Sequence, residues 1–246
     1  MQAMILAAGL GSRLKPITDT VPKALIPVRI DNGNKKPLLE VLLDKMSAQG
    51  VSSVVINVHH LADQIRDFID DYLQKKNKSL RILISDESDL LLDTGGAIRN
   101  ARSLFVPGQP FLVHNVDILS DLELNDLFNR HIHTDIATLL VSERDTSRQL
   151  IFDGQWRLVG WTNKKTGEVR RVRGVCSGQE CFMRAFSGIH MMSPDVLELM
   201  ENWPPVFSII DFYLDQAETH MIRGTEIPGL KITDVGKPEE LNNIIL

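Results

Sequence analysis

The first half of the chain alternates short apolar runs with amphipathic segments, and this alternation limits the possible folds more than any other feature. The apolar runs, each of strand length, lie at 4–8, 54–58, 80–84 and 111–114. The segments between them, which repeat apolar residues with a helical period, lie at 37–50, 61–73 and 95–104. Strands that alternate with helices predict a parallel, doubly wound sheet with helices on both faces.

The regular alternation of strand and helix patterns ends at about residue 134. A strand is predicted at 136–141, and the stretch after it is broken by Asp153-Gly154 and Gly167, which indicates hairpins. Helices are predicted at 194–200, at 207–217 and after Pro238, and Asn32-Gly33 predicts a tight turn in the first half. Without an internal repeat, we expect one domain over 1–246, with a regular half (1–133) and an irregular half (134–246) sharing one sheet.

Charge and composition restrict which ligands we expect the chain to bind and in which cellular compartment we expect it. The net charge is -5, so we expect no general attraction to nucleic acid, and an anionic ligand must be held by local charge or by a metal ion. Cys176 and Cys181 are too few for a disulfide framework and predict reduced thiols. The sequence has neither a basic, apolar leader nor an apolar run of membrane-spanning length. We therefore expect a cytoplasmic protein that does not bind membranes.

The first predicted strand continues into a glycine-containing loop. Its small residues, which let backbone N–H groups approach phosphate oxygens and a planar base, are Ala7, Ala8, Gly9 and Gly11. Arg13 and Lys23 supply local positive charge, Arg as a planar fork and Lys as a mobile point charge. The loop has the spacing of neither a Walker A motif nor a dinucleotide-binding fingerprint. The pattern predicts a phosphate-binding loop of another kind.

The segment 6–18, followed by Pro22-Lys23, resembles the N-terminal signature of the sugar-1-phosphate nucleotidyltransferases, Leu-Ala-Ala-Gly-x-Gly-x-Arg-x-x-Pro-x-Thr with a later Pro-Lys. It looks closest to the short bacterial N-acetylmuramate 1-phosphate uridylyltransferases, and mannose-1-phosphate guanylyltransferases and glucose-1-phosphate thymidylyltransferases are near alternatives. The resemblance implies that Gly11, Ser12 and Arg13 embrace a nucleoside triphosphate and that Lys23 bridges its phosphates. The nucleotide-binding residues that it implies are Leu6, Ala7, Ala8, Gly9, Gly11, Ser12, Arg13, Lys23, Gly95 and Asn115.

Three later segments follow in the order of the same family. Residues 92–98 resemble its Leu-Glu-Thr-Gly-Gly segment, which implies that the base is read at Gly95. Asn115-Val116-Asp117 is similar to its Asn-Gly-Asp, with valine in place of the usual glycine. Residues 232–238 resemble Trp-x-Asp-Val-Gly-Thr-Pro, so the implied metal ligands are Asp117 and Asp234. Two carboxylates completed by water and phosphate oxygens suit Mg²⁺.

The second half resembles the family less closely. Phe186-Ser187-Gly188-Ile189 resembles a strand whose glycine lies against the sugar, which implies a sugar-phosphate contact at Gly188. Residues 160–164 loosely resemble a Glu-Lys-Pro segment, which nominates Lys164 for the sugar phosphate. The acidic residue that uridylyltransferases of this size often carry near 148–150 is missing here, so the identity of the sugar stays open.

The resemblance implies a Rossmann-like, three-layer α/β/α fold of the nucleotide-diphospho-sugar transferase type, with a mixed, mostly parallel sheet. It also implies a Mg²⁺-dependent enzyme in which Arg13, Lys23 and Asp117 are catalytic, with an NTP and a sugar 1-phosphate as substrates, acting as a monomer or homo-oligomer. One alternative is a cytidylyltransferase for phosphocholine or another non-sugar phosphate, whose acceptor pocket would use Trp156, Trp161, Trp203 and Phe207. Another alternative is a non-catalytic nucleotide-sugar sensor.

Overall fold

The computed structural model describes residues 1–30, 34–76, 79–172 and 181–236. The strands are β1 Gln2–Leu6, β2 Pro27–Arg29, β3 Lys35–Pro37, β4 Ser53–Val58, β5 Arg81–Asp86, β6 Phe111–Asn115, β7 Ile118–Ser120, β8 Ala137–Ser142, β9 Arg148–Asp153, β10 Leu158–Asn163, β11 Glu168–Arg171, β12 Cys181–Met192, β13 Ile222–Thr225 and β14 Ile232–Asp234. The helices are α1 Leu38–Ala48, α2 Ala62–Lys75, α3 Asp93–Asn100, α4 Leu124–Arg130, α5 Val196–Leu199 and α6 Ile209–Gln216. The predicted turn at Asn32-Gly33, Cys176 and the helix after Pro238 lie outside the described residues.

One large sheet contains strands from both halves of the chain. Its main path runs β11-β10-β9-β12-β6-β1-β4-β5. Outside this path, β8 pairs with β12 on one edge and with β13 on the other. The four adjacent strands β6, β1, β4 and β5 all run parallel to one another, as the strand–helix alternation predicts. The strand β12 runs antiparallel to β6, β8 and β9, so the second half adds the antiparallel pairs of a mixed sheet.

The sheet separates two apolar cores, because successive side chains of a strand point to opposite faces. In β1, Ile5 packs into the core that contains Leu42 of α1, whereas Met4 packs into the core on the other face with Ile98 of α3 and Phe212 of α6. All five side chains are almost completely buried. The predicted three-layer α/β/α arrangement is therefore confirmed.

The strand β1 ends at Leu6, two residues before the end that the apolar run predicts. The backbone N–H of Ala7 donates to Asn57 Oδ1 at 2.7 Å and does not continue the ladder. The chain then turns through three short 3₁₀ segments, Ser12–Leu14, Ile17–Asp19 and Lys23–Leu25. The predicted loop is therefore folded, and it begins at the carboxyl end of a central strand.

The hairpins predicted in the second half are present: β9, β10 and β11 pair antiparallel in sequence order. A separate two-stranded pairing joins β14 to β7, with Asp234 opposite Ile118. This pairing brings the last described segment of the chain against the segment that follows β6. Within the described ranges, no helix combines the length and the apolar character needed to cross a membrane.

Candidate functional site

A cavity of about 440 Å³ lies at the carboxyl ends of the parallel strands. Its lining residues are Leu6, Ala8, Gly9, Lys23, Asn57, Glu87, Leu91, Asp93, Thr94, Asn115, Val116, Asp117 and Val206. Open α/β sheets bind ligands at this edge. Six of the residues nominated from the sequence line the cavity: Leu6, Ala8, Gly9, Lys23, Asn115 and Asp117.

The glycine loop is held in shape by contacts to Gly11. This residue has φ +61°, and a Cβ atom there would lie 2.7 Å from Thr18 Cγ2, so a side chain at this position is both strained and obstructed. Thr18 Oγ1 donates to Gly11 O at 3.0 Å, and Leu14 N donates to the same carbonyl at 2.8 Å. Ser12 and Arg13 are exposed on this folded turn, and neither of them lines the cavity.

A buried pair of polar residues, Asn57 and Glu87, links the start of the glycine loop to neighbouring elements through hydrogen bonds. Asn57 accepts the Ala7 N–H and donates through Nδ2 to Glu87 Oε1 at 2.8 Å, while Glu87 Oε2 accepts the Leu92 N–H at 3.2 Å. Burial raises the pKa of Glu87 above its ordinary value. Sequence reasoning missed both residues, although a polar Asn57 inside an otherwise apolar strand is a detectable signal.

Two acidic residues predicted as metal ligands meet at Gly236. A Cβ atom at this glycine would lie 2.8 Å from Asp234 Oδ1, 3.2 Å from Asp117 Oδ2 and 2.8 Å from Arg13 Nη2. The β7–β14 pairing creates this meeting point, and Val235 N donates to Asp117 O at 2.8 Å. The absence of a side chain at Gly236 therefore leaves a small space that two carboxylates and a guanidinium surround.

Lys23 forms an ion pair with Asp117, through Nζ and Oδ2, and both side chains are mostly buried. The nominated lysine and the nominated carboxylate are thus direct partners. Lys23 lies at the start of the third 3₁₀ segment, behind Pro22, whose extended backbone ends the preceding turn. Lys23 also lines the cavity, so an anion that enters the cavity meets this lysine.

The donor set around Gly236 suits a hard cation. Magnesium takes oxygen ligands, keeps several waters and is commonly held by one or two carboxylates together with substrate phosphates. Asp117 and Asp234 offer such a pair, and the space at Gly236 lies between them. No group of three or more His, Cys, Asp or Glu residues with metal-binding geometry occurs within the described ranges, so a cation here would depend on water and phosphate oxygens for its other ligands.

Gly188 lies against Asn115, which lines the cavity. Its φ is +77°, and a Cβ atom there would lie 2.5 Å from Asn115 Nδ2. The glycine in this strand is therefore required by the backbone conformation and by the asparagine side chain. A role of Gly188 in binding the sugar stays a prediction.

Gly95 lies behind the cavity wall. Its N–H donates to Phe207 O at 2.9 Å, and a Cβ atom there would collide with the ring of Phe207. The neighbouring residues Asp93 and Thr94 line the cavity, and Asp93 has a φ of 59°, which is unusual for a non-glycine residue. Packing against Phe207 accounts for the glycine, and reading of the base at Gly95 stays a prediction.

The residue nominated for the sugar phosphate, Lys164, is half-exposed, follows β10 and does not line the cavity. Its Nζ lies 3.8 Å from Asp145 Oδ1. Arg144, which sequence reasoning did not nominate, does not line the cavity either, but its Nη1 lies 3.7 Å from Asp234 Oδ2. No motif marks Arg144 in the sequence, and only the folded chain shows its position.

The aromatic residues considered for a phosphocholine pocket pack elsewhere. Trp203 packs against Phe207 in a tilted arrangement with ring centroids 4.9 Å apart, and Trp156 meets Phe182 edge-on with centroids 4.7 Å apart. The ring of Trp161 lies beside the guanidinium of Arg170. Of these aromatic side chains, all in the described part of the chain, none lines the cavity. The geometry offers no aromatic cage for a quaternary amine at this site.

Comparison with known proteins points to one family. A family model for nucleotidyl transferases matches residues 2–152. The N-acetylmuramate alpha-1-phosphate uridylyltransferases of Caulobacter vibrioides and Neisseria meningitidis are 41% and 40% identical over 115 and 128 residues, which cover 47% and 52% of this chain. A probable mannose-1-phosphate guanylyltransferase of Arabidopsis thaliana is 28% identical over 98% of this chain. The matched segments span 45%, 52% and 63% of these relatives' own lengths.

Solved structures share the fold. HddC from Yersinia pseudotuberculosis, solved in complex with GMP-PN, superposes with a TM-score of 0.73 at 23% identity, covering 98% of this chain and 96% of that one. A putative glucose-1-phosphate thymidylyltransferase from Bacillus anthracis gives a TM-score of 0.76 at 17% identity, covering 98% and 92%. These similarities confirm the Rossmann-like fold predicted from the sequence.

Proposed function

Because this chain belongs to the nucleotidyl transferase family, we propose that it transfers a nucleoside monophosphate from an NTP to a sugar 1-phosphate, releasing pyrophosphate and forming an NDP-sugar. One observation carries the proposal: Arg13, Lys23, Asp117 and Asp234 converge at the edge of the cavity. Positive charge is needed there, because the two substrates are anions that must approach each other closely, and the two carboxylates can hold a cation that adds to it.

The nucleotide would bind along the carboxyl ends of β1, β4, β5 and β6. The small residues Ala8 and Gly9 allow close approach of a planar base to the backbone. Arg13, which is exposed on the turn after Gly11, reaches the phosphates with its planar fork. The cavity volume of about 440 Å³ falls in the range of small-molecule sites, roughly 300–1,000 Å³.

Asp117 and Asp234 are the residues that would hold Mg²⁺, which when bound supplies charge neutralisation at the reacting phosphates. Lys23 would leave Asp117 for a phosphate oxygen, since an ammonium on a flexible stem can follow the charge. Arg13 would keep the triphosphate in line with the acceptor. Positioning and electrostatic stabilisation are then the main contributions of the protein to the rate.

The reaction needs no covalent intermediate. An oxygen of the sugar phosphate, already ionised at neutral pH, attacks the α-phosphorus, and the bond from that phosphorus to the pyrophosphate oxygen breaks. A strong general base is unnecessary, because no proton has to leave the attacking oxygen. The proposal is consistent with the absence of a histidine among the cavity-lining residues of the described chain.

The test is pyrophosphate release with UTP, GTP, TTP and CTP against a panel of sugar 1-phosphates and phosphocholine, with and without Mg²⁺. A productive sugar 1-phosphate pair that requires the metal is the expected result, and it would identify base and sugar together. Turnover with phosphocholine alone would instead establish the non-sugar acceptor. Nucleotide binding without turnover on any acceptor would overturn the proposal in favour of a sensor. A cytoplasmic location, where NTPs are available, is part of the proposal.

A further inference from the structure

We propose that Arg144 binds the phosphate of the acceptor, a role that the sequence resemblance nominates for Lys164. The inference rests on the proposed function, because it names the residue that receives the second substrate. It starts from the position of Arg144 in the connection between β8 and β9, where its Nη1 lies 3.7 Å from Asp234 Oδ2.

The neighbours of Arg144 in this connection have partners away from the acidic pair. Glu143 is exposed and pairs with Arg184 Nη2 at 2.9 Å, and Asp145 is exposed and lies 3.8 Å from Lys164 Nζ. Arg144 is about one-third exposed and lies against Asp234. The connection therefore directs one guanidinium toward the acidic pair, and its other charges pair at the surface.

The cations around the two carboxylates come from both halves of the chain. Lys23 and Arg13 both follow β1, in the half that contains the glycine loop, and they contact Asp117 and the space at Gly236. Arg144 approaches Asp234 from the other half of the sheet. A reaction that joins two phosphate-bearing substrates needs positive charge for each, and a guanidinium can bind a phosphate through two parallel hydrogen bonds.

Lys164 is less suited to this role in the described structure. It is half-exposed, and its Nζ pairs with Asp145, a carboxylate that is almost fully exposed. A lysine in that position is solvated, and its interaction with a phosphate is weakened by water and salt. Arg144 lies beside a carboxylate of the site itself and is better placed to meet a phosphate that binds there.

The contact between Arg144 and Asp234 also links the acceptor to the metal. A cation held in the space at Gly236, beside Asp234 Oδ1, would compete with the guanidinium for the charge of the same carboxylate, whose Oδ2 faces Arg144. With a cation held there, Arg144 would be free to leave Asp234 and bind the acceptor phosphate. Removing the guanidinium should therefore weaken acceptor binding and strengthen metal binding, two effects of opposite sign.

The test compares Arg144→Gln with Arg81→Gln, a matched control that removes an exposed arginine from the start of β5, at the end of the strand away from the cavity. For Arg144→Gln we expect the KM of the acceptor to rise about 10- to 100-fold, the usual effect of losing a charge-assisted hydrogen bond, and the KM of the NTP to change less than about twofold. Arg144→Lys should restore the acceptor KM in part, because it keeps the charge and loses the planar fork. Mn²⁺ affinity without substrates, measured by electron paramagnetic resonance, should rise about threefold or more.

An unchanged acceptor KM in Arg144→Gln would overturn the inference, as would weaker Mn²⁺ binding. It would also fail if Lys164→Gln raised the acceptor KM more than Arg144→Gln did. Should the unmodified chain turn over no substrate pair, the proposed function fails by itself. The role of Arg144 is then decided by titration with inorganic phosphate in the presence of Mg²⁺. Weaker binding by Arg144→Gln supports the role, and equal binding contradicts it.

Discussion

The space at Gly236 can be filled by a single methyl group, which makes Gly236→Ala a direct test of the candidate site. The added Cβ would lie 2.8 Å from Asp234 Oδ1 and from Arg13 Nη2, and 3.2 Å from Asp117 Oδ2. Ordinary van der Waals contacts of a Cβ begin at 3.4 Å. All three groups are ends of side chains that can rotate away, so the collision displaces the site and leaves the backbone in place.

The expected effect on stability is small. The φ of Gly236 is outside the left-handed region, so alanine fits the backbone without strain. Glycine-to-alanine changes at such positions alter the free energy of unfolding by less than about 1 kcal/mol. Displacement of catalytic groups by up to 1 Å, in contrast, costs on the order of 10²-fold in rate. We therefore expect a folded protein with about 1% of the original turnover and a higher Mg²⁺ requirement.

The assay is pyrophosphate release across a Mg²⁺ titration, combined with urea unfolding followed by circular dichroism. Gly154→Ala is the matched control, because a Cβ at Gly154 meets no atom within 4 Å and its φ is not in the left-handed region either. The control should keep the turnover of the unmodified protein. If Gly236→Ala retained turnover within threefold of the unmodified protein at every Mg²⁺ concentration, the three groups around Gly236 would not form the reaction site.

Four further substitutions test other parts of the structure. Lys23→Ala and Asp117→Ala should each reduce turnover on the order of 10²- to 10³-fold with unchanged circular dichroism, since each removes one contact to developing charge. Near-normal turnover in either variant would show that the substituted residue does not belong to the site. Glu87→Gln should lower the free energy of unfolding by about 1–3 kcal/mol and raise the KM of the NTP. The reason is that the amide of glutamine has one oxygen and cannot accept from both Asn57 and Leu92. An unchanged urea midpoint and an unchanged KM would show that this buried pair does not support the loop. Burial lowers the pKa of His114 from 6.5 to about 4, so its neutral form stabilises the fold above pH 6.5 and that contribution is lost as the pH falls toward 4. From pH 6.5 to 5 the unmodified protein should therefore lose about 2 kcal/mol of stability that His114→Gln does not lose, measured by urea unfolding at each pH; parallel pH profiles of the two proteins would contradict this assignment.

The strand–helix alternation was readable from the sequence because it depends on neighbours within one element. The period of apolar residues predicted α1, α2 and the parallel strands to within a few residues. The glycine loop was equally visible, since small residues and a following Arg13 and Lys23 form one continuous segment. These local patterns, with the family resemblance that they carry, were sufficient to predict the fold class, and they nominate residues for the nucleotide site.

Contacts between distant segments depended on the tertiary structure. Asp117 and Asp234 meet because β14 pairs with β7, and no local period encodes which strands pair. Arg144 lies beside Asp234 only because the fold brings the β8–β9 connection next to β14, which is distant from it in the sequence. The buried Glu87 supports the loop through hydrogen bonds whose partners lie on other elements. The sequence by itself thus determined the elements and the loop, whereas long-range packing decided which charges share one site.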